Sequence, residues 1–499
     1  MGIAEELAIL TVILSLSLVR RRPSSTLLAT AAVIGLAVAS SILVLIKFNA
    51  GLMALSAGSL LVLSTRQWRK LALFALIFVF GLCLMWISTG NAISNLVSFL
   101  SGSVEVASGH SSAMGIEAPE RRWEYAAAPI AVLLVILVAL DGLVTLPLHL
   151  AATAVGLVGM TVFAMLKHGF VRHDAHAIGF FASMLLLSLA LASRRDWLRT
   201  SVLTVALLAA FLASSDLSPT RLWLPTESAR GFLDQLRAIT SLEQRQAVVE
   251  AARNHLRAEY ALDSSTIAGM TSKTAHIDPW ESGVAWAYPE VTWRPLPTIQ
   301  SYVAYSRALD ERNQAFLLSE RAPEVVLREI PQAIDGRNPL FESPLATIQL
   351  FCRYAEVEVT QRWQLLQRVP NRCGPMVQLS SVRVHAQELV SVPKPASESE
   401  FFFVVVDGLN TTYQQLRSFV YKSPNWVMHV NDGRQFRLVP GNASSPQIVR
   451  LPSTLGFSLA FQGGPAIEAF SISTSAPDFA AAEFVVTFFT MSLRSSDSP

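Results

Sequence analysis

Two short stretches gather the side chains best suited to chemistry. Residues 108–125 hold His110, Glu117, Glu120, Arg121 and Arg122, and residues 167–176 hold Lys167, Arg172, His173, Asp174 and His176. A guanidinium fork grips a phosphate through two parallel N–H bonds and neutralises charge on a departing phosphate, which an ammonium does less well. An imidazole or carboxylate within hydrogen-bond reach can take a proton from an attacking hydroxyl. On those grounds Arg172, Arg121, Arg122, Lys167 and His110 are expected to bind a substrate phosphate, and Asp174, His173 or His176 to handle the proton. The plainer alternative is that such residues only meet lipid headgroups or cap helix ends. A metal is a third reading: His173, Asp174 and His176 are suitable ligand types, and a divalent ion bridging Asp174 and Glu117 to a pyrophosphate is an open alternative. The spacing supplies no third and fourth ligand.

Further along, Trp280, Trp286, Tyr288, Trp293, Tyr302 and Tyr305 fall within 26 residues. Trp286, Trp293 and Tyr302 are the candidates for stacking on sugar rings, with Gln300 and Asp310 as polar partners, against the commoner role of aromatic residues in core packing. Cys352 and Cys373 lie 21 positions apart and are expected to form a disulfide if their compartment is oxidising; Cys83 sits in an apolar run as a packing residue. Asp335, Arg337 and Asn338 belong to a Gly/Pro turn that a local hydrogen-bonded loop explains. No Gly-rich phosphate loop, nucleophile elbow or Cys-rich zinc pattern is present, which argues against nucleotide chemistry and serine hydrolysis.

The elements that must position these residues follow from composition. With 52% apolar and 15% charged residues and a mean hydropathy of +0.41, the 499-residue chain is too apolar to be wholly soluble. The charge is uneven. Through Ser214 there are 14 basic and 9 acidic residues, leaving 25 and 28 for the other 285 positions. A net charge of +2 gives no reason to expect a nucleic-acid partner. The first part contains apolar runs at 7–19, 26–46, 51–64, 71–90, 126–140, 151–166, 177–192 and 201–213, about eight membrane spans. The first run is short and has Glu5 and Glu6 at its start, which fits a tilted span better than a cleavable signal peptide.

Lys and Arg beside a span are retained on the cytoplasmic side. Alternate connections carry Arg20, Arg21, Arg22, Arg66, Arg69, Lys70, Arg194, Arg195 and Arg199, nine in all; the others carry Lys47, Arg121, Arg122, Lys167 and Arg172. Placing the nine in the cytoplasm puts both chemistry-bearing loops and everything after Ser214 outside.

Apolar residues Phe232, Leu233, Leu236, Ile239 and Leu242 recur at helical spacing between residues 218 and 259, and a mixed α/β pattern follows to about residue 384. After a Pro/Ser-rich linker at 392–399, β runs are expected at 401–406, 426–430, 435–439, 447–451, 457–461, 466–472 and 483–491. The expected architecture is a polytopic helical membrane domain (1–214), an extracytoplasmic α/β region (215–391) and a β-sandwich or jelly-roll domain (400–499).

The stretches 167–176, 293–302 and 334–339 resemble those of uncharacterised polytopic envelope proteins of bacteria, over most of the chain. In architecture alone, outer-face loops followed by a β-rich terminal domain are similar to membrane glycosyltransferases of the GT-C type and to O-antigen ligases. That likeness implies a lipid-linked sugar substrate, and for the ligases loop Arg and His residues with no obligatory metal. The chain departs from the first group in having no carboxylate in the loop near Lys47, and from the second in lacking a long helical outer loop. The expectation is a bacterial plasma-membrane protein of envelope polysaccharide assembly, transferring sugar from a polyprenyl phosphate at the outer face. Its partners would be membrane lipid, lipid-linked sugar and envelope glycan. The rival is a non-enzymatic envelope scaffold that binds glycan or protein, and transport is weaker because the spans hold almost no charge.

Overall fold

The computed structural model describes residues 3–21, 26–192, 197–215, 226–409, 411–475 and 482–494. Arg22, Arg194 and Arg195, three of the nine cytoplasmic markers, and the start of the helical stretch expected from residue 218 lie outside them. The chain divides into two compact units, one of Met1–Ala107 with Met114–Trp223 and the other of Ser108–Ala113 with Leu224–Pro499.

The first unit is mainly helical: α1 (Ile3–Arg21), α2 (Thr26–Ile46), α3 (Phe48–Ser64), α4 (Trp68–Ser88), α5 (Leu96–Ala113, whose last six residues belong to the second unit), α6 (Trp123–Leu143), α7 (Leu148–Val171), α8 (Ala177–Leu191) and α9 (Trp197–Ser214). Among the described residues five stretches are long and apolar enough to cross a bilayer, Leu27–Ile46, Trp68–Ser88, Pro119–Leu140, Leu148–Val171 and Trp197–Ser214, while Phe48–Ser64 and Ala177–Leu191 are shorter apolar helices. Most expected runs therefore coincide with helices. Between the runs expected at 71–90 and 126–140 lies a further helix, α5, whose Ser and Gly residues lower its hydropathy below that of α4 and α6.

Close helix packing relies on small residues, as it must where lipid gives no hydrophobic drive. A Cβ on Gly51 would lie 2.3 Å from the Val44 amide nitrogen, so α2 and α3 touch through backbone. Ser41 on α2 donates to the Phe78 carbonyl of α4 at 3.0 Å.

Helix-end contacts sort the unit into two ends. At one, Arg20 closes α1 and donates to the Ala190 and Ala192 carbonyls at 2.6 and 2.9 Å, where α8 stops. A guanidinium there satisfies the orphan carbonyls and complements the helix dipole. Arg199, starting α9, reaches the Leu137 carbonyl of α6 at 3.2 Å. At the other end meet the start of α1 and the α2–α3 link, through an ion pair of Glu5 with Lys47. The β1 strand (Ile116–Glu117) ahead of α6 pairs there in parallel with β2 (Arg172–His173) after α7.

The described residues of the second unit form one mixed and two antiparallel sheets. In the mixed sheet the order is β4 (Thr292–Trp293), β3 (Thr274–Asp278), β5 (Val325–Glu329), β7 (Trp363–Arg368) and β6 (Tyr354–Val359). The first three strands are parallel, with the helix Arg307–Leu318 in the connection between β4 and β5, and the last two are antiparallel.

The antiparallel sheets use β8 (Val377–His385), β9 (Val390–Ser391), β10 (Glu400–Asp407), β11 (Trp426–Val430), β12 (Gln435–Leu438), β13 (Gln447–Arg450), β14 (Ala469–Thr474) and β15 (Glu483–Ser492). Their orders are β13-β10-β15-β8 and β12-β11-β14-β9, so both take a strand from before the 392–399 linker. Residues of both sheets share one apolar core, with Trp426 edge-on to Phe484 and Phe470 against Phe488, centroids 6.4 and 6.5 Å apart. Burying these faces is the main stabilisation available to the unit.

The β run expected at 457–461 is instead a 3-10 turn at Leu459–Phe461. Glu356 accepts from the Ser458 amide at 2.8 Å and its hydroxyl at 2.7 Å, and Gly456 at φ 78° turns the chain just before it. Cys352 and Cys373 are bonded, their Cα atoms 5.3 Å apart.

Candidate functional site

The two loops meet at one end of the helical unit. The β1–β2 ladder places Ile116 beside Arg172 and Glu117 beside His173, and the Ala118 amide donates to the His173 carbonyl at 2.9 Å. Two layers of polar residues result.

The inner layer centres on Glu124, a fully buried carboxylate in the first turn of α6 that sequence reasoning passed over. Arg121 grips it as a fork, Nε to Oε2 at 3.2 Å and Nη2 to Oε1 at 2.6 Å. The same guanidinium donates to the Ser214 carbonyl at 2.7 Å, and the Ser214 hydroxyl returns to Glu124 at 2.6 Å. His173 Nε2 lies 3.1 Å from Glu124 Oε2, its ring stacked on Phe170 and against Tyr125. Removing one partner from such a buried charged network costs far more than a surface pair is worth. Arg121 and His173 thus tie together β2 and the ends of α6 and α9. The i,i+3 spacing of Arg121 and Glu124 was the available signal.

The outer layer is partly open to solvent. Asp174 takes Arg172 Nε on one oxygen at 3.0 Å. Its other oxygen meets His176 Nδ1 and accepts from the His176 amide at 3.0 Å. Partial burial alone would raise the Asp174 carboxyl, but the His176 amide and imidazole, with Arg172, hold it below the ordinary value. A carboxylate that stays ionised fixes the orientation of the imidazole. The His176 side chain is 42% exposed, whereas His173 is wholly enclosed. His168, on the last turn of α7, packs edge-on to His176 at 5.3 Å and interacts electrostatically with Glu5 and Lys47. Lys47, 49% exposed, and Lys167, partly buried, add positive charge to this end of the unit. Arg122 is exposed. Glu5, Lys47 and His168 were not among the sequence candidates, because they come from separate helices and converge only in the fold.

His110 falls in the second unit, its ring 6.1 Å from Tyr305. The aromatic segment there divides. Tyr288 and Tyr305 are buried, Trp280 pairs edge-on with Tyr302 at 6.0 Å, and Arg253 lies over Trp286 at 5.3 Å. Trp286 and Trp293 are exposed. Asp310 does not face them: it accepts from the Ser343 hydroxyl at 2.7 Å and the Leu345 and Ala346 amides at 2.9 and 3.2 Å, capping the helix Pro344–Arg353. Burial pushes its carboxyl up to about 6 despite those donors. Arg337 donates to the Ile334 and Tyr302 carbonyls, as a turn-forming residue would.

Among the described residues, no group of three or more His, Cys, Asp or Glu side chains is placed to hold a metal ion. The chain matches no protein-family model, and no curated protein and no solved structure is significantly similar to it.

Proposed function

We propose that this is a multi-pass bacterial plasma-membrane protein of cell-envelope polysaccharide assembly, acting on a polyprenyl-phosphate-linked sugar at the outer membrane face. The observation that carries the reading is Asp174 held between Arg172 and a half-exposed His176, with Lys47 and Lys167 at the same end of the helical unit. In the proposed reaction an acceptor hydroxyl attacks the anomeric carbon, the bond from that carbon to the phosphate oxygen breaks, and the polyprenyl phosphate leaves. His176, oriented by Asp174, takes the hydroxyl proton, and Arg172 offsets charge on the leaving phosphate.

The basic residues at the opposite end of the helical unit support a placement in which eight of its helices thread the bilayer and everything after Ser214 lies outside. The Cys352–Cys373 bond supports an oxidising compartment. The two facing sheets read as a β-sandwich that holds acceptor glycan, and Trp286 and Trp293, in the mixed-sheet region, offer exposed stacking surfaces.

The scaffold reading has one observation in its favour. Arg121 is fully engaged by Glu124 and Ser214, so at least one of the expected phosphate ligands serves to hold loops together.

The two readings separate in cells lacking the native gene and supplied with variants. His176→Ala and Arg172→Ala should each reduce the surface polysaccharide at least tenfold, while membrane levels of the protein stay normal. Unchanged polysaccharide from both variants would leave only the scaffold reading standing.

A further inference from the structure

Strand β8 leaves one sheet edge open. It ends the order β13-β10-β15-β8, runs nine residues, Val377–His385, and is exposed from Val377 to Arg383. Among the described residues, no backbone amide or carbonyl of Val377–Val384 bonds a strand other than β15. Alternate N–H and C=O groups of an edge strand point away from the sheet, and a row of them is a template for another strand.

The other edges are guarded. Strands β9 and β4 have two residues each. Strand β12 has four, and its Arg437 amide already donates to the Gly336 carbonyl at 2.8 Å. Strand β13 is mostly buried, and β6 carries Glu356 and Glu358, both bonded to hydroxyls. By contrast β8 holds no lysine and no proline, and exposes Val377, Leu379 and Val382 by 51, 45 and 41%. Its only Lys, Arg, Asp or Glu side chain, Arg383, is paired with Glu483 of β15 at 3.4 Å. One bulge, at Leu379 opposite Phe488 and Phe489, interrupts it.

We propose that β8 is the docking edge for a second copy of this chain, the two strands running antiparallel about a two-fold axis through Ser381. Ser381 is the midpoint of the strand, so pairing there overlaps its whole length. It sets Ser381 against Ser381, Ser380 against Val382, Leu379 against Arg383 and Val377 against His385. No like charges meet, and each Leu379 lies along an arginine stem. With Arg383 paired to Glu483, the edge offers no charge for an acidic or basic peptide to match, whereas a second β8 meets it as it is. A second copy also presents its strand already ordered, and so loses none of the conformational entropy that a free peptide would. The proposal is independent of the transfer reaction and of the membrane placement.

The test uses the full chain with Cys83→Ser in detergent micelles, its Cys352–Cys373 bond intact. Native mass spectrometry over a dilution series should show a dimer that dissociates on dilution. Ser381→Lys, which sets two ammonium groups against each other across the axis, should weaken it at least about tenfold with the melting temperature unchanged. Gln435→Lys, at an exposed position on the edge of the other antiparallel sheet, should leave it unaltered. Mild oxidation should cross-link Ser381→Cys at least about tenfold faster than Gln435→Cys, because facing residues of an antiparallel pair come within disulfide reach. A monomer at every concentration would overturn the proposal. So would a dimer that tolerates Ser381→Lys or cross-links no faster at 381 than at 435, and so would a different polypeptide bound in place of the second copy.

Discussion

At the scale of single residues, buried ionisable groups separate function from architecture. In the second unit Glu342 is 3% exposed, and its Oε1 has no hydrogen-bond donor among the described residues. Burial pushes its carboxyl up to about 8; Arg337 works against that rise, and Asp278 and Asp335 add to it. The folded unit therefore keeps a proton that the unfolded chain gives up above about 4.5, so stability falls as pH rises from there to 8. Glu342→Gln should melt at the same temperature as the parent near pH 4.5 and at a higher one at pH 8. Parallel melting temperatures across that range would show that Glu342 does not titrate as its surroundings require. His276 has the opposite sign: its enclosure pushes the imidazole down to about 3, so its contribution is lost as pH falls below 6.5. The sequence displayed Arg172, Asp174 and His176 as a local triplet, legible because their contacts are two residues apart. It hid Glu124, whose importance comes from three partners, Arg121, His173 and Ser214, delivered by three separate segments.

Among the elements, the apolar runs were readable because each nearly equals its helix, and the β runs because alternation survives wherever one sheet face is buried. Reading failed where local composition and tertiary demand part company. The Ser- and Gly-containing α5 looked like a loop, and the alternating Phe457, Leu459 and Phe461 looked like a strand until the Glu356 carboxylate bent it. Strands β8 and β9 went unseen because β8 is exposed along most of its length and β9 has two residues. Helix packing gives a sharp contrast to test. Gly51→Ala forces a Cβ against the Val44 backbone and should cost about 1–3 kcal/mol, seen as lower membrane yield and melting temperature. Gly35→Ala, with nothing within 4 Å of the added Cβ, should be neutral or stabilising by up to about 1 kcal/mol. Equal behaviour of the two would mean that α2 and α3 are not in backbone contact.

For the molecule as a whole, sidedness organises everything else. Arg20 and Arg199 fasten helix ends at one extreme of the helical unit, and the polar layers around Glu124 and Asp174 occupy the other. The chemistry proposed for His176 requires the second extreme to face away from the cytosol. Alkaline phosphatase, which folds only where disulfides form, and green fluorescent protein, fused in turn after Pro499, read that placement directly. The account predicts an active phosphatase and a dark fluorescent protein. A fluorescent fusion paired with an inactive phosphatase would contradict it.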